Sequence, residues 1–148
     1  MLLVEDNPTD EKLAVRAFKK CGVESEIVVV HDGAEALDYL FGTGQHASSM
    51  AGGLPAVVLL DLSLPRIHGH EVLRRIRADE RTQRLPVVIL TASREEEDIV
   101  RSYALGANAY IRKPVDFGEF ASAAQTLALF WLQLNQIPPP RSGSSSAP

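Results

Sequence analysis

The sequence predicts an α/β fold, a doubly wound sheet of five parallel strands in the order 2-1-3-4-5 with helices on both faces. Three observations carry that expectation. Short all-apolar runs, among them Ala56-Val57-Val58-Leu59-Leu60 and Pro86-Val87-Val88-Ile89-Leu90, are bounded by turn residues, the pattern of strands buried on both sides of a parallel sheet. Segments with helical spacing of apolar residues lie between them, the alternation that makes a parallel sheet covered by helices. Chemically active residues then stand where strands end: Glu5 and Asp6, Asp61, Thr91 and Lys113. The carboxyl ends of strands are where such sheets bind their ligands.

Taken in order, Met1-Leu2-Leu3-Val4 is the first strand and runs into Glu5-Asp6-Asn7-Pro8. Thr9 or Asp10 can cap the first helix, whose stripe is Leu13, Ala14, Ala17, Phe18 and Cys21 and whose stop is Gly22. The second strand is Glu26 to Val30, and a short helix from Ala34 to Leu40 ends before Gly42. Thr43 to Pro55 is small and polar, with Gly44, Gly52 and Gly53, and is expected to be a mobile loop. After the third strand and Asp61, a third helix buries Val72, Leu73 and Ile76. After the fourth strand, a fourth helix is expected to bury Ile99, Val100, Tyr103 and Ala104 before Gly106 stops it. Ala109-Tyr110-Ile111 is the fifth strand. The last helix begins near Asp116 and carries two stripes, Phe117, Phe120, Ala121, Ala124, Ala128 and Trp131 on one side and Leu127, Phe130, Leu134 and Ile137 on the other. The domain is expected to span residues 1–137, and the Pro- and Ser-rich segment 138–148 is expected to be a disordered tail.

A chain of 148 residues with 45% hydrophobic content suffices for one core and is short for two. The net charge of -4 and the scattering of the 15 basic residues leave no footprint for nucleic acid. The single cysteine, Cys21, has no internal disulfide partner and reads as a small buried apolar residue. No apolar run approaches the ~18 residues of a membrane span. Met1 to Val4 meets acids too soon for a signal peptide, so a cytoplasmic protein is expected.

If the strands are ordered 2-1-3-4-5, the first and third lie side by side and bring Glu5, Asp6 and Asp61 into one crevice at the switch point. Like charges ~4 Å apart at an effective dielectric near 20 repel by about 4 kcal/mol, so the site wants a cation. Ligands that are all oxygen select a hard ion, Mg²⁺ in a cell. Phosphoryl chemistry follows naturally, with Asp61 as in-line nucleophile, Lys113 pairing the charge of the transferred group and the Thr91 hydroxyl donating to one of its oxygens. Taken singly, an acid at a strand end often caps the next helix and a lone lysine is usually solvated. Four strand ends in register are what argue for a site.

Those residues, with Leu59-Leu60-Asp61-Leu62-Ser63-Leu64-Pro65, Gly69, Ile89-Leu90-Thr91-Ala92-Ser93 and Tyr110-Ile111-Arg112-Lys113-Pro114, resemble the receiver domain of two-component response regulators, a flavodoxin-like fold. The resemblance implies that Asp61 accepts a phosphoryl group from a sensor histidine kinase. It also implies that Asp6, Asp61 and the backbone carbonyl of Ser63 bind Mg²⁺, that Glu5 supports from the outer shell, and that Thr91 and Lys113 contact the phosphoryl group. Tyr110 matches the aromatic switch that turns inward when Thr91 moves. The Lys113-Pro114 bond is expected to be cis. A narrower likeness, in Tyr103 to Tyr110, Lys113 to Phe117 and Phe130 to Asn135, is to the single-domain regulators that serve bacterial phytochromes. These commonly pair through the fourth helix, the fifth strand and the last helix, and the outer stripe with Phe130 and Leu134 fits a homodimer of that kind.

Other features have plainer readings. His68 and His70 flank Gly69 on opposite sides of a helix start and are not a metal pair; His31 and His46 read as surface residues. Glu95-Glu96-Glu97-Asp98 suits the first turn of a helix, where acids oppose the helix dipole. No further domain pattern follows Ile137, so the signal is expected to leave through protein contacts, and the protein's own catalysis to be limited to self-phosphorylation and slow autodephosphorylation. One alternative is a Mg²⁺-dependent phosphatase of the haloacid dehalogenase type, which needs a second acid two residues after the nucleophile, where this chain has Ser63. A pseudo-receiver, a purely structural interaction module, is the other; the full set of phosphorylation residues argues against it.

Overall fold

The computed structural model describes residues 1–22, 27–43 and 53–139. Its elements are β1 (Leu2–Val4), α1 (Pro8–Lys20), β2 (Val28–Val30), α2 (Gly33–Phe41), β3 (Val58–Leu60), α3 (Gly69–Ala78), β4 (Val87–Thr91), α4 (Glu96–Ala104), β5 (Ala109–Arg112) and α5 (Phe117–Ala128), with a π-helical continuation, Leu129–Leu134. The sheet has five strands in the order β2-β1-β3-β4-β5. Every pairing is parallel, with Leu3 opposite Val29 and Leu59, and Leu59 opposite Val88. Both the topology and the class are those the sequence predicts.

Alternation along the strands builds two cores. Leu2, Val4, Val58, Leu60, Val87 and Ile89 face one side with Leu37 and Leu40 of α2 and Val72, Leu73 and Ile76 of α3. Leu3, Val57, Leu59 and Val88 face the other with Ala14, Ala17 and Phe18 of α1 and Phe120, Ala124 and Leu127 of α5. A side chain that fully leaves water in this way contributes roughly 1.5–3 kcal/mol, so the central strands are the best-anchored part of the chain. Among the described residues no helix is long and apolar enough to cross a membrane.

Several local expectations are corrected. Asn7, not Thr9 or Asp10, caps α1: its Oδ1 accepts from the backbone N–H groups of Thr9 and Asp10, and Pro8, with no N–H to offer, takes the first helical position. Cys21 is half-buried, its thiol donating to the Ala17 carbonyl at 3.3 Å. In α4 the fully buried residue is Ser102, while Val100 and Tyr103 are 68% and 50% exposed. Helical periodicity tells which residues share a face; here the bond between the His70 ring and the Ser102 hydroxyl, 2.9 Å, decides which face turns inward. Leu127 belongs to the core and not to the outer stripe. The π-helical turn beyond α5 adds residues per turn, which leaves Leu129, Phe130, Leu134 and Ile137 outside.

Lys113-Pro114 is trans, like every other described peptide bond. In that form, the usual one for X-Pro, the Lys113 N–H already donates to the Thr91 carbonyl at 2.7 Å. Ile137, Pro138 and Pro139 turn back beside Leu54 and Leu85, lining a cavity of about 230 Å³. Glu26, His46, most of the loop expected to be mobile and residues 140–148 of the expected tail lie outside the described residues.

Candidate functional site

The sheet's carboxyl edge assembles the site by continuing its ladder past the strands. Glu5 N donates to Val30 O at 3.0 Å and Asp61 N to Val4 O at 3.2 Å, so the residue after β1 and the residue after β3 stand side by side. Thr91 ends β4, and its hydroxyl donates to Asp61 Oδ1 at 2.7 Å. Lys113 follows β5 and reaches back across the edge, with Nζ 2.9 Å from Asp61 Oδ2 and 2.6 Å from Glu5 Oε1. Backbone N–H groups complete the shell: Ser63 donates to Asp61 Oδ1 at 3.3 Å and Asn7 to Glu5 Oε2 at 3.1 Å.

Glycine at position 69 is a condition of this geometry. A Cβ there would lie 2.4 Å from the Asp61 carbonyl oxygen and 2.7 Å from Leu62 Cα, because the Gly69 N–H donates to the Leu62 carbonyl at 2.9 Å and brings the start of α3 against the loop that carries Asp61.

Burial and charge pull the acids in opposite directions. Burial pushes the Asp61 carboxyl up, yet the Lys113 ammonium, with the Thr91 and Ser63 hydrogen bonds, holds it below the usual carboxylate value. For Glu5 burial wins over Lys113, and its carboxyl is pushed up to about 7. Burial lowers Lys113, but hydrogen bonds to Glu5, Asp10 and Asp61 outweigh it and raise the ammonium above its ordinary value. Asp61 is therefore an ionised, oriented carboxylate, and Glu5 gives up its charge more readily than Asp61.

Asp6 is exposed, and one oxygen of its carboxylate lies within 4.8 Å of one oxygen each from Glu5 and Asp61, which are as near to each other. A donor set of carboxylates only, one of them open to water, fits a hard divalent cation.

The sequence profile of the response regulator receiver domain matches residues 1–125. The chain belongs to that family. The receiver is 40% identical over 142 residues to FilR2 of Methanothrix harundinacea, a probable methanogenesis regulatory protein, covering 95% of this chain and 88% of that one. Its fold is similar to the crystal structure of the phosphorylated cyanobacterial phytochrome response regulator RcpA, with a TM-score of 0.86, 38% identity and coverage of 93% and 96%. It is 52% identical to the bacteriophytochrome response regulator AtBRR, with a TM-score of 0.71 and coverage of 91% and 96%.

Of the residues singled out in the sequence, Glu5, Asp6, Asp61, Thr91 and Lys113 meet at one edge of the receiver. Tyr110 stands apart from them, half-buried in β5, with its hydroxyl donating to the Ser93 carbonyl at 3.3 Å. Ser93 in turn donates from Oγ to Asp98 Oδ2 at 2.5 Å, tying the β4–α4 loop to the first turn of α4. His68 caps α3 through Nδ1, and His70 is buried against Ser102. Sequence reasoning missed Asp10, whose Oδ2 is 2.9 Å from Lys113 Nζ. It was legible only as a helix-cap candidate; the available signal was its place in the first turn of the helix that follows the switch-point strand.

Proposed function

We propose that this receiver accepts a phosphoryl group on Asp61 from the phosphohistidine of a sensor histidine kinase of the bacteriophytochrome type, and that it passes the signal on through protein contacts. The observation that carries the reading is the state of Asp61: buried, kept ionised, with Thr91 on one carboxylate oxygen and Lys113 on the other. In the step itself an Asp61 oxygen attacks phosphorus as the nitrogen–phosphorus bond of the donor breaks, and the bonding pair returns to the donor imidazole. Lys113 pairs the charge of the transferred group, and the Thr91 hydroxyl turns from Asp61 to one of its oxygens. Asp6, Asp61 and the Ser63 carbonyl would hold Mg²⁺ with Glu5 behind them, and the ion would neutralise phosphoryl charge.

As Thr91 moves, Tyr110 gives up the Ser93 carbonyl and turns inward, which biases the two-state equilibrium of the α4 side. The receiver is cytoplasmic on this reading, and its chemistry stops at taking up the phosphoryl group and slowly hydrolysing it. Similarity to the phytochrome response regulator RcpA and the bacteriophytochrome response regulator AtBRR supports a phytochrome as the kinase. Exposed Phe130 and Leu134 support a homodimer through α4, β5 and the last helix.

The test is intact mass after incubation with acetyl phosphate and Mg²⁺, wild type against Asp61→Asn. An alkali-labile, phosphoryl-sized gain in wild type alone is expected. No gain with any divalent metal, or an equal gain in Asp61→Asn, would overturn the reading.

A further inference from the structure

We infer that Asp10 is a positioning residue for phosphoryl acceptance, holding the Lys113 ammonium in place from α1 while Asp61 reacts. The inference rests on the reading of Asp61 as the acceptor. An ammonium has three N–H donors and no acceptor. Lys113 Nζ meets three carboxylates, Glu5 Oε1 at 2.6 Å, Asp10 Oδ2 at 2.9 Å and Asp61 Oδ2 at 2.9 Å. Its side chain is 8% exposed, so solvent is a poor substitute for any of the three.

The three anchors are not equivalent during reaction. When an Asp61 oxygen bonds to phosphorus and the acetate or imidazole leaves with its electron pair, Asp61 becomes an acyl phosphate and is no longer a carboxylate anion. Lys113 then loses that anchor at the moment its charge is needed on the phosphoryl oxygens. Glu5 and Asp10 remain. Glu5 stands beside Asp6 within the group of carboxylates that would share the cation, whereas Asp10 comes from α1 and lies outside that group. Its backbone is fixed as well, since its own N–H donates to the Asn7 cap at 3.1 Å. A lysine chain left with one anchor regains rotamer freedom, and misplacing a catalytic charge slows the chemical step more than it weakens binding.

Two simpler roles make opposite or null predictions. If Asp10 only opposes the helix dipole, its loss leaves phosphoryl uptake unchanged. Were it chiefly a negative charge repelling an anionic donor, its loss would speed uptake. At 28% exposure its field is well screened, while its hydrogen bond to Lys113 is charge-assisted and directional.

The experiment uses Asp10→Ala and Asp10→Asn with acetyl phosphate and Mg²⁺, following intact mass over time at several donor concentrations. The expected result is a maximal rate lower by about tenfold in Asp10→Ala and less in Asp10→Asn, which keeps an acceptor oxygen, with the half-saturating donor concentration unchanged or lower. A second readout needs neither metal nor turnover. The Lys113 ammonium resonance in ¹⁵N spectra of metal-free protein, kept from solvent exchange by its three bonds in wild type, should broaden or vanish in Asp10→Ala. Maximal rates equal to or above wild type in both variants, or an unchanged ammonium resonance, overturn the inference. If wild type itself takes up no phosphoryl group, the Asp61 reading fails instead, and the ammonium resonance still decides whether Asp10 holds Lys113.

Discussion

Replacing Lys113 by methionine tests the electrostatic account of the site without any phosphodonor. Methionine keeps much of the chain's bulk and removes the charge, so the change isolates what the ammonium does for Glu5, Asp10 and Asp61. Glu5 and Asp61 are 3% and 7% exposed, and their carboxylates belong to a group with oxygens within 4.8 Å. At that separation and an effective dielectric near 20, two unit charges repel by about 3 kcal/mol. Removing one partner of a buried pair typically costs about 3–5 kcal/mol. Those costs are not summed, because Glu5, already at about 7 with Lys113 present, takes up a proton at neutral pH once the ammonium is gone. The expected loss at pH 7 with chelator present is therefore about 3 kcal/mol, the low end of the range for a broken buried pair.

The assay is urea unfolding followed by circular dichroism, where with a slope of about 2 kcal/mol/M the midpoint should fall by roughly 1.5 M at unchanged slope. The pH dependence has a definite sign. Loss of the ammonium raises the native values of Glu5 and Asp61, so the folded variant holds more protons than folded wild type. Stability changes with pH in proportion to protons bound unfolded minus protons bound folded, so the variant's stability drops more steeply as pH rises, and its deficit narrows toward pH 5. A variant within about 1 kcal/mol of wild type at pH 7, or a deficit that widens toward acid, would refute the claim that Lys113 holds this cluster together.

On the proposed homodimer, charged replacements at Phe130 and Leu134 together should give a monomer in sedimentation velocity, with wild type sedimenting as a dimer at the same concentration; a variant that still dimerises would put the interface elsewhere, and a monomeric wild type would remove the homodimer. Burial first, then the nearby charges of His68 and Arg101, lowers His70 from its ordinary 6.5, with Asp98 opposing. A lowered native value means the unfolded chain binds the proton first as pH falls, so this contribution to stability is full above 6.5 and lost as pH drops through 6.5 toward the native value. His70→Gln should flatten that arm of the stability curve, and a curve parallel to wild type below neutrality would remove His70 as its source. Gly69→Ala pushes a methyl into backbone that cannot swing aside; it should cost about 2 kcal/mol in urea unfolding and slow phosphoryl uptake on Asp61. A variant as stable as wild type would mean that the start of α3 has freedom the structure does not show.

The parts of the fold that were legible in the sequence are those decided by periodicity. Val57 to Leu60 and Val87 to Leu90 are apolar throughout because both faces of β3 and β4 are covered, and that leaves a mark no tertiary context can reverse. Asp61 and Thr91 were legible for a related reason, since each directly follows such a run, and Lys113 closes the shorter segment that runs from Ala109 through Arg112. What escaped depends on contacts between distant elements. The Asn7 cap needed only local chemistry and was still misplaced, because Thr9 and Asp10 stand nearer the apolar stripe, and Pro8 settles the matter through the N–H it lacks. The face of α4 was misjudged because its apolar positions share one side of the helix, while His70, contributed by α3, binds Ser102 on another. Asp10 escaped because its partner lies 103 residues away.

The misjudged helix also bears on how a signal would leave the site. α5 is fastened by Phe120, Ala124, Leu127 and Ala128, all buried with α1 and the sheet, and aliphatic and aromatic burial of that kind amounts to several kcal/mol. α4 has Ser102 as its buried residue and turns Val100 and Tyr103 outward. Its attachment is largely polar: Ser93 to Asp98 at its start, His70 to Ser102 along its length, and Arg77 Nε to the Gly106 carbonyl just past its end. A hydrogen bond of this sort is worth about 1 kcal/mol net, and the first of them begins two residues after Thr91. On the proposed reading, the movement of Thr91 reaches α4 by exchanging one or two such bonds, which costs far less than lifting α5 from its core. The apolar residues already exposed on α4 are then the surface whose position changes, which places the output of the receiver on the helix that its core holds least tightly.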